Sequence, residues 1–342
     1  MRMARIGGMY GPDITFLGVD RCDLEDDASF AGADVVVIGA PYDAGTSYRA
    51  GARFGPQAIR SSDYLPHHAS RPHLALRVDP FADLRVLDAG DVAMVATEAK
   101  QPLDRLEAAV RKVAEAGAIP VVLGGDHTIT WPDVTGIAHA HGWGRVGVLH
   151  FDAHADTGDT QWGSLVGHGL PMRRLIESGA CRGDRFLQIG LRGYWPPPDV
   201  LAWMAEQGMR SYEMAEVVRR GLDTCLTEAF AIATDDCDTV FVSVDIDVTD
   251  PGSAPGTGTP EPGGISPREL LDAVRRIAVE LPVVGMDVVE VSPPYDSADV
   301  TAFLANRVVL EMLSGIAYRR RGGTWADIPK SLLDDRGTER SG

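Results

Sequence analysis

The sequence predicts an α/β fold: a three-layer αβα sandwich around a mainly parallel sheet of roughly eight strands. Three observations predict it. Short Val- and Ile-rich runs recur along the chain, bounded by Gly, Pro or Asp. Segments with helical periodicity separate those runs. Residues that carry chemistry gather just where several runs end, which is where ligands collect in parallel α/β sheets.

The expected strands are 34–39 (DVVVIG), 84–88, 119–124, 145–151, 185–190, 240–246 and 282–291. Such near-continuous apolar runs suit strands covered on both faces. A helix is expected over 103–116, where Leu103, Leu106, Ala109, Val110 and Val113 share one face at a period of 3.6. A second is expected over 267–279, with Ser266 as N-cap and Pro267 in the first turn. A third is expected over 299–316. No linker and no internal repeat interrupts this order. The expected organisation is an N-terminal extension (1–33), one catalytic domain (34–320) and a charged, Gly-containing tail (321–342) that frays.

With 342 residues the chain can bury a sizeable core without staples. Its net charge of −17 comes from 32 basic and 49 acidic residues. That balance argues against nucleic acid and anionic membrane surfaces as partners, since both require basic patches. It is weakly consistent with a cationic substrate. The four cysteines, Cys22, Cys181, Cys225 and Cys237, show no C-x-x-C spacing. A disulfide framework or thiolate zinc site is therefore not expected. The first thirty residues hold no apolar core behind a basic start, and no stretch is expected to approach the ~20 apolar residues of a membrane span. The expected location is the cytoplasm.

Three of the expected strand ends carry the informative residues. The first reads VLGGDHT (122–128), where two glycines permit a sharp turn before His127. The second reads HFDAHADT (150–157). Alternation there places Asp152, His154 and Asp156 on one side, provided the chain stays extended. The third reads SVDIDVTDP (243–251), with Asp245 and Asp247 again alternating. Carboxylates this close repel one another, and a divalent cation removes that penalty. Taken alone, His127 reads as an interior or capping histidine and Asp245 as a cap. Taken together, two imidazoles and four carboxylates form an oxygen-and-nitrogen donor set for Mn²⁺, Fe²⁺, Co²⁺ or Zn²⁺. Six donors exceed what one catalytic zinc takes and suit two metals. His150 sits one position further inside its strand and reads as packing or as support for a ligand.

These motifs resemble those of the ureohydrolases, the arginase and agmatinase family. GGDHT, DAHAD and SVDIDVTDP are similar to that family's three metal motifs. GARFGP (51–56), PGTGTPEPGG (255–264) and EVSPPYD (290–296) extend the likeness from about residue 34 to about 313. The resemblance implies an arginase/deacetylase-like fold and two Mn²⁺ per subunit, with Co²⁺, Ni²⁺ or another divalent metal as substitutes. One ion would be held by His127, Asp152, Asp156 and Asp245. The other would be held by Asp152, His154, Asp245 and Asp247. The resemblance further implies a hydroxide between the metals as nucleophile, Glu290 as holder of the substrate guanidinium, and His168 as proton-transfer histidine. His168, Glu290 and Asp156 are thus the candidate catalytic residues. Homo-oligomers, trimers or hexamers, are implied in the same way.

The expected reaction splits a small guanidino compound into urea and an amine. Agmatine, giving putrescine, stands first. Guanidino acids such as guanidinobutyrate or guanidinopropionate, or a natural-product guanidino intermediate, are the alternatives. The chain departs from the family in reading HGLP at 168–171 rather than HGT. Its loop 158–167 (GDTQWGSLVG) lacks the Asn of true arginases, which argues against arginine and leaves the far end of the substrate open. Loops 157–167 and 194–199, with Trp162, Tyr194 and Trp195, are expected to shape the pocket. A single-zinc deacylase of the same fold would have one metal per subunit. A non-catalytic member would lack ligands, and here all six are present.

Overall fold

The computed structural model describes residues 14–67, 69–94 and 101–328. Among these residues nine parallel strands form one sheet: β1 (Asp20–Arg21), β2 (Val35–Ala40), β3 (Val86–Asp91), β4 (Ile119–Gly124), β5 (Val146–Phe151), β6 (Phe186–Ile189), β7 (Arg210–Tyr212), β8 (Thr239–Asp245) and β9 (Val283–Val289). Their order across the sheet is β1-β3-β2-β4-β9-β8-β5-β6-β7. The seven expected strands are all present, shifted by a few residues at their ends. The two unforeseen ones, β1 and β7, are edge strands of two and three residues. Runs that short carry no readable periodicity.

Neighbouring residues of the central strands feed two different cores. Val35, Val37, Val121 and Leu123 pack on one face, together with Ile277, Val308 and Met312. Val36, Ile38 and Val122 pack on the other, with Leu106, Val110 and Ile137. The two-residue period of a strand and a helix layer on each side explain both the sandwich and the unbroken apolar runs. The helices Gln101–Glu115 and Thr130–His141 serve the second face. Pro267–Glu280 and Val300–Arg320 serve the first. Ser266 caps its helix as expected. Its hydroxyl accepts from the Glu269 amide at 3.3 Å, and the Glu269 carboxylate accepts from the Ser266 amide at 2.8 Å.

One expectation needs correction. Val300–Arg320, with 21 residues and a mean hydropathy of 1.4 in its most apolar window, is long and apolar enough to cross a membrane. That window is 72% buried inside the sandwich, as the central helix of a packed layer is.

Before residue 34, Phe16 and Leu17 are buried in the main core and β1 joins the sheet edge. The Phe16 amide donates to Asp88 at 2.7 Å, and the buried Arg60 holds the same carboxylate through two bonds of 2.9 Å. Near the other end, Trp325 and Ile328 pack against the core. Most of the expected tail, 329–342, lies outside the described residues, as do residues 1–13.

The strand order has one functional consequence. β4, β9, β8 and β5 are consecutive neighbours in the sheet although far apart in the chain. Their carboxyl ends therefore open onto one crevice, and GGDHT, EVSPPYD, SVDIDVTDP and DAHAD all leave from it.

Candidate metal centre and active site

After β4 the chain must dive beneath residues 41–43. A Cβ at Gly125 would overlap the Tyr42 backbone, so only glycine passes. The Asp126 amide then bonds the Tyr42 carbonyl at 2.6 Å, and the Asp126 carboxylate caps the short 3₁₀ turn His127–Ile129. The result is a fully buried His127 imidazole whose Nδ1 meets Asp152 Oδ2 at 3.0 Å, Asp156 Oδ2 at 3.1 Å and Asp245 Oδ2 at 3.1 Å.

The proximity of the acidic residues has a different cause from the extended alternation expected at 152–156 and 245–247. β5 stops at Phe151 and β8 at Asp245. Asp156 adopts a left-handed backbone conformation (φ 51°). His154 is turned back so that its amide bonds Asp152 Oδ1 at 2.6 Å. Residues 246–248 form a 3₁₀ turn, in which Asp245 Oδ1 accepts from the Asp247 amide at 2.8 Å. The two segments then lock together, the Ala153 amide donating to Asp247 Oδ1 at 3.1 Å. Local aspartate turns, not a continued strand, gather the carboxylates. His154 completes the group, with Nδ1 at 3.1 Å from Asp247 Oδ2 and 3.5 Å from Asp152 Oδ1.

A metal fits this arrangement. One imidazole nitrogen carries at most one proton and cannot serve three carboxylates. Among the described residues the buried Asp152 Oδ2 meets imidazole nitrogens of His127 and His150, and the buried Asp247 Oδ2 meets that of His154, so the oxygens face ring nitrogens that are themselves metal-type donors. Burial together with Asp247 and Asp152 pushes the Asp245 carboxyl well above its usual range, the signature of negative charge in need of a cation. All donors are oxygen or imidazole nitrogen. This is the donor set of a divalent-metal centre. His127 gathers Asp152, Asp156 and Asp245 on one side, His154 gathers Asp152 and Asp247 on the other, and Asp152 is common to both.

Around the donors lies a buried polar layer that sequence reading saw only in part. His150 Nε2 is 2.9 Å from Asp152 Oδ2, and its Nδ1 is 3.1 Å from Gln188 Nε2. That places His150 as support for Asp152. His127 Nε2 is 3.0 Å from Ser243 Oγ, which approaches Thr130 and thereby the buried Asp287. The available signal was a polar residue inside an apolar run: Gln188 in FLQI, Ser243 in VFVSV, Asp287 in VVGMDVV.

Glu290 and His168 meet beside this centre. Glu290 leaves β9 with a left-handed backbone (φ 61°), a strained setting for a non-glycine residue, held by its amide on the Gly125 carbonyl at 2.8 Å. Its Oε1 accepts from the His127 amide at 2.9 Å and lies 2.9 Å from His168 Nδ1. Its Oε2 is buried and unpartnered among the described residues. Burial opposes a charge on His168, but Glu290, with Asp126 and Asp156 behind it, overrides this and pushes the imidazole up to about 9.

The loop 43–51, of which only Gly51 falls within a family-like motif, forms the roof. The Gly45 amide donates to Asp126 Oδ2 at 2.8 Å, and the Gly45 carbonyl accepts from the His168 amide and from Gln161 Nε2, each at 3.0 Å. Asp43 holds the far end through the Gly51 amide at 2.9 Å and through Arg53. A Cβ on Gly45 would press on the Thr128 hydroxyl and lie 3.0 Å from the His168 amide. Gly45→Ala should therefore lower stability by about 1–3 kcal/mol and lower kcat by displacing His168. Thermal melts and steady-state kinetics check both. Of the expected pocket aromatics, Tyr194 is fully exposed and Trp162 is 82% exposed. Only Trp195 packs near the site loop, beside Gly158.

Comparison with known proteins agrees with this geometry. The Arginase family model matches residues 33–315. The chain is 40% identical to the mitochondrial guanidino acid hydrolase of Homo sapiens over 83% of this chain and 79% of that protein. It is 39% identical to the mitochondrial agmatinase of Gallus gallus over 83% and 82% respectively. Among solved structures, the proclavaminate amidinohydrolase of Streptomyces clavuligerus superposes with a TM-score of 0.82 at 36% identity, covering 92% of this chain and all of that one. The chain therefore belongs to the arginase family and is a hydrolase of the C–N bonds of linear amidines.

Proposed function

We propose that the protein hydrolyses the guanidino group of a small molecule to urea and an amine, with agmatine as the leading substrate and putrescine as its amine product. The observation that carries the reading is Glu290 Oε2, a buried carboxylate oxygen with no partner among the described residues, beside a cluster of metal-type donors. A planar guanidinium offers the N–H fork that such a carboxylate accepts. Gly258 keeps the space next to it open, since a Cβ there would lie 3.2 Å from Glu290 Oε2 and 3.1 Å from the Arg49 carbonyl.

The reading includes two Mn²⁺ ions, held by His127, Asp152, Asp156 and Asp245 on one side and by Asp152, His154, Asp245 and Asp247 on the other. Such a pair, when bound, supplies activated water at neutral pH. The chain's own residues do the rest. Glu290 orients the guanidinium, the roof loop 43–51 covers the site, and His168 supplies a proton to the departing amine. A homo-oligomeric assembly belongs to the same proposal and rests on the family likeness; light scattering tests it.

A guanidino acid is the second reading, and one observation favours it. The Arg49 guanidinium lies against the rings of Tyr48 (5.2 Å) and Tyr295 (5.1 Å), and no carboxylate among the described residues pairs with it. An unpaired arginine at the rim suits a carboxylate tail better than an ammonium one. Urea release from agmatine, guanidinobutyrate, guanidinopropionate, arginine and guanidine, with Mn²⁺ present, tests both readings. If the substrate is an acid, Arg49→Ala should raise its KM by about tenfold or more, the loss of one charge-assisted pair. If it is agmatine, the same change should leave KM level or lower it. No urea from any compound by a fully metal-loaded chain would sink the proposal.

A further inference from the structure

The His168 ring is buried, yet its Nε2 faces outward to a residue that reaches the surface. Ser47, exposed on the roof loop, approaches this nitrogen twice: through its hydroxyl at 2.6 Å and through its backbone amide at 3.0 Å. The opposite ring nitrogen, Nδ1, faces Glu290 Oε1 at 2.9 Å. The imidazole thus spans from the site interior to a hydroxyl in contact with solvent. The loop that carries this hydroxyl is pinned at Gly45 by Asp126, Gln161 and the His168 amide, and at Asp43 by Gly51 and Arg53. Ser47 is therefore held against the ring rather than brushing past it.

The amide contact also selects the tautomer. A backbone N–H can only donate, so it calls for a lone pair on Nε2 and leaves the ring proton on Nδ1, aimed at Glu290. The Glu290 charge favours a doubly protonated ring instead. A guanidinium seated on Glu290 cancels that charge, so the amide preference prevails once substrate is bound. A neutral ring with its only proton inward can give that proton up only if another arrives at Nε2. Ser47 Oγ is the one side-chain hydroxyl in contact with that nitrogen among the described residues.

We propose that Ser47 is a positioning and relay residue that connects His168 to bulk solvent. It rests on the reading of His168 as proton donor to the leaving amine. As the C–N bond breaks, the amine nitrogen takes the Nδ1 proton. Nε2 takes the Ser47 hydroxyl proton, and Ser47 Oγ takes one from a solvent acid. Three bonds to hydrogen break and three form, the ring stays neutral while exchanging tautomers, and the net donor is a water or buffer acid outside the site. No further co-reactant is required.

Ser47→Ala tests this cleanly, because alanine keeps the backbone amide on Nε2 and removes only the hydroxyl. The expected result is a fall in kcat on the order of ten- to a hundredfold, a share of the usual value of general acid catalysis, with KM unchanged within about twofold. At constant pH and ionic strength, kcat of S47A should rise with the concentration of a small proton donor such as imidazole, while kcat of the wild type should not. Ser47→Thr, which restores a hydroxyl, should recover most of the rate. Wild-type kcat in S47A, or a low kcat that neither imidazole nor threonine restores, would overturn the relay. If the metal-loaded wild type itself released no urea from any guanidino compound, the underlying reading would fall first and take the relay with it.

Discussion

Asp245→Asn is expected to lower kcat by about a thousandfold or more, on the order of 4 kcal/mol in the barrier, and to lower bound metal per chain. Asp245 belongs to the His127 group of donors and adjoins the His154 group through the turn it builds for Asp247. Its Oδ2 is 3.1 Å from His127 Nδ1, and its Oδ1 shapes the turn that presents Asp247. Asparagine keeps that turn, because its carbonyl can still accept from the Asp247 amide. It exchanges the charged Oδ2 for a neutral amide group of nearly the same size. The substitution therefore separates charge from scaffold. Its stability signature should be specific. Metal binds the folded chain and not the unfolded one, so the wild type should melt higher with Mn²⁺ than after chelation, by a margin set by metal affinity. In D245N that margin should shrink. The metal-free melting temperature should not fall, because one of three mutually repelling buried carboxylates has become neutral. Elemental analysis, melts with and without EDTA, and urea kinetics read the three effects. A D245N chain with full metal content and full rate would remove Asp245 from the metal centre.

Glu290→Gln carries the second large effect. Glutamine is nearly isosteric and can still accept from the His127 amide through its carbonyl. Its amide group then donates into the space where the guanidinium's own donors must sit, and the charge that attracts the cation is gone. Truncating one side of a buried charge-assisted pair costs ~2–5 kcal/mol. About 3 kcal/mol corresponds to roughly a hundredfold in kcat/KM. Since Glu290 Oε1 also holds His168, kcat should fall along with any rise in KM. Metal content should stay at the wild-type level, since no oxygen of Glu290 is placed among the metal donors. That contrast separates the two variants: D245N loses metal and rate together, whereas E290Q keeps metal and loses rate. Unchanged kcat/KM in E290Q would mean that the guanidinium binds elsewhere.

The two variants also mark what could be read before folding. The candidate donors His127, Asp152, His154, Asp156, Asp245 and Asp247 stand out by residue type and spacing, because concentrated carboxylates at apolar strand ends are costly unless a cation answers them, and the fold brings the six together. The sandwich was legible for a related reason. Strands buried on both faces must be apolar throughout, and seven of nine left that trace. The edge strands β1 and β7 did not, since two or three residues cannot display a period. The reason for the donors' proximity is not legible either. Alternation suggested an extended chain, whereas turns built by Asp152 and Asp245 on following amides do the work, with Asp156 in a left-handed conformation. Spacing of two looks the same in both cases.

By itself, then, the sequence pointed to a donor set and determined the layered architecture, because both follow from local rules: burial selects side-chain polarity, and clustered carboxylates call for a cation. Only the tertiary structure decided that β4, β9, β8 and β5 stand side by side, so that donors separated by more than a hundred residues share one crevice. It alone also brought Ser47 and Gly45 over His168, and left Glu290 with one oxygen engaged and the other open. Long-range neighbours of this kind come from strand order and loop closure, which no local pattern encodes.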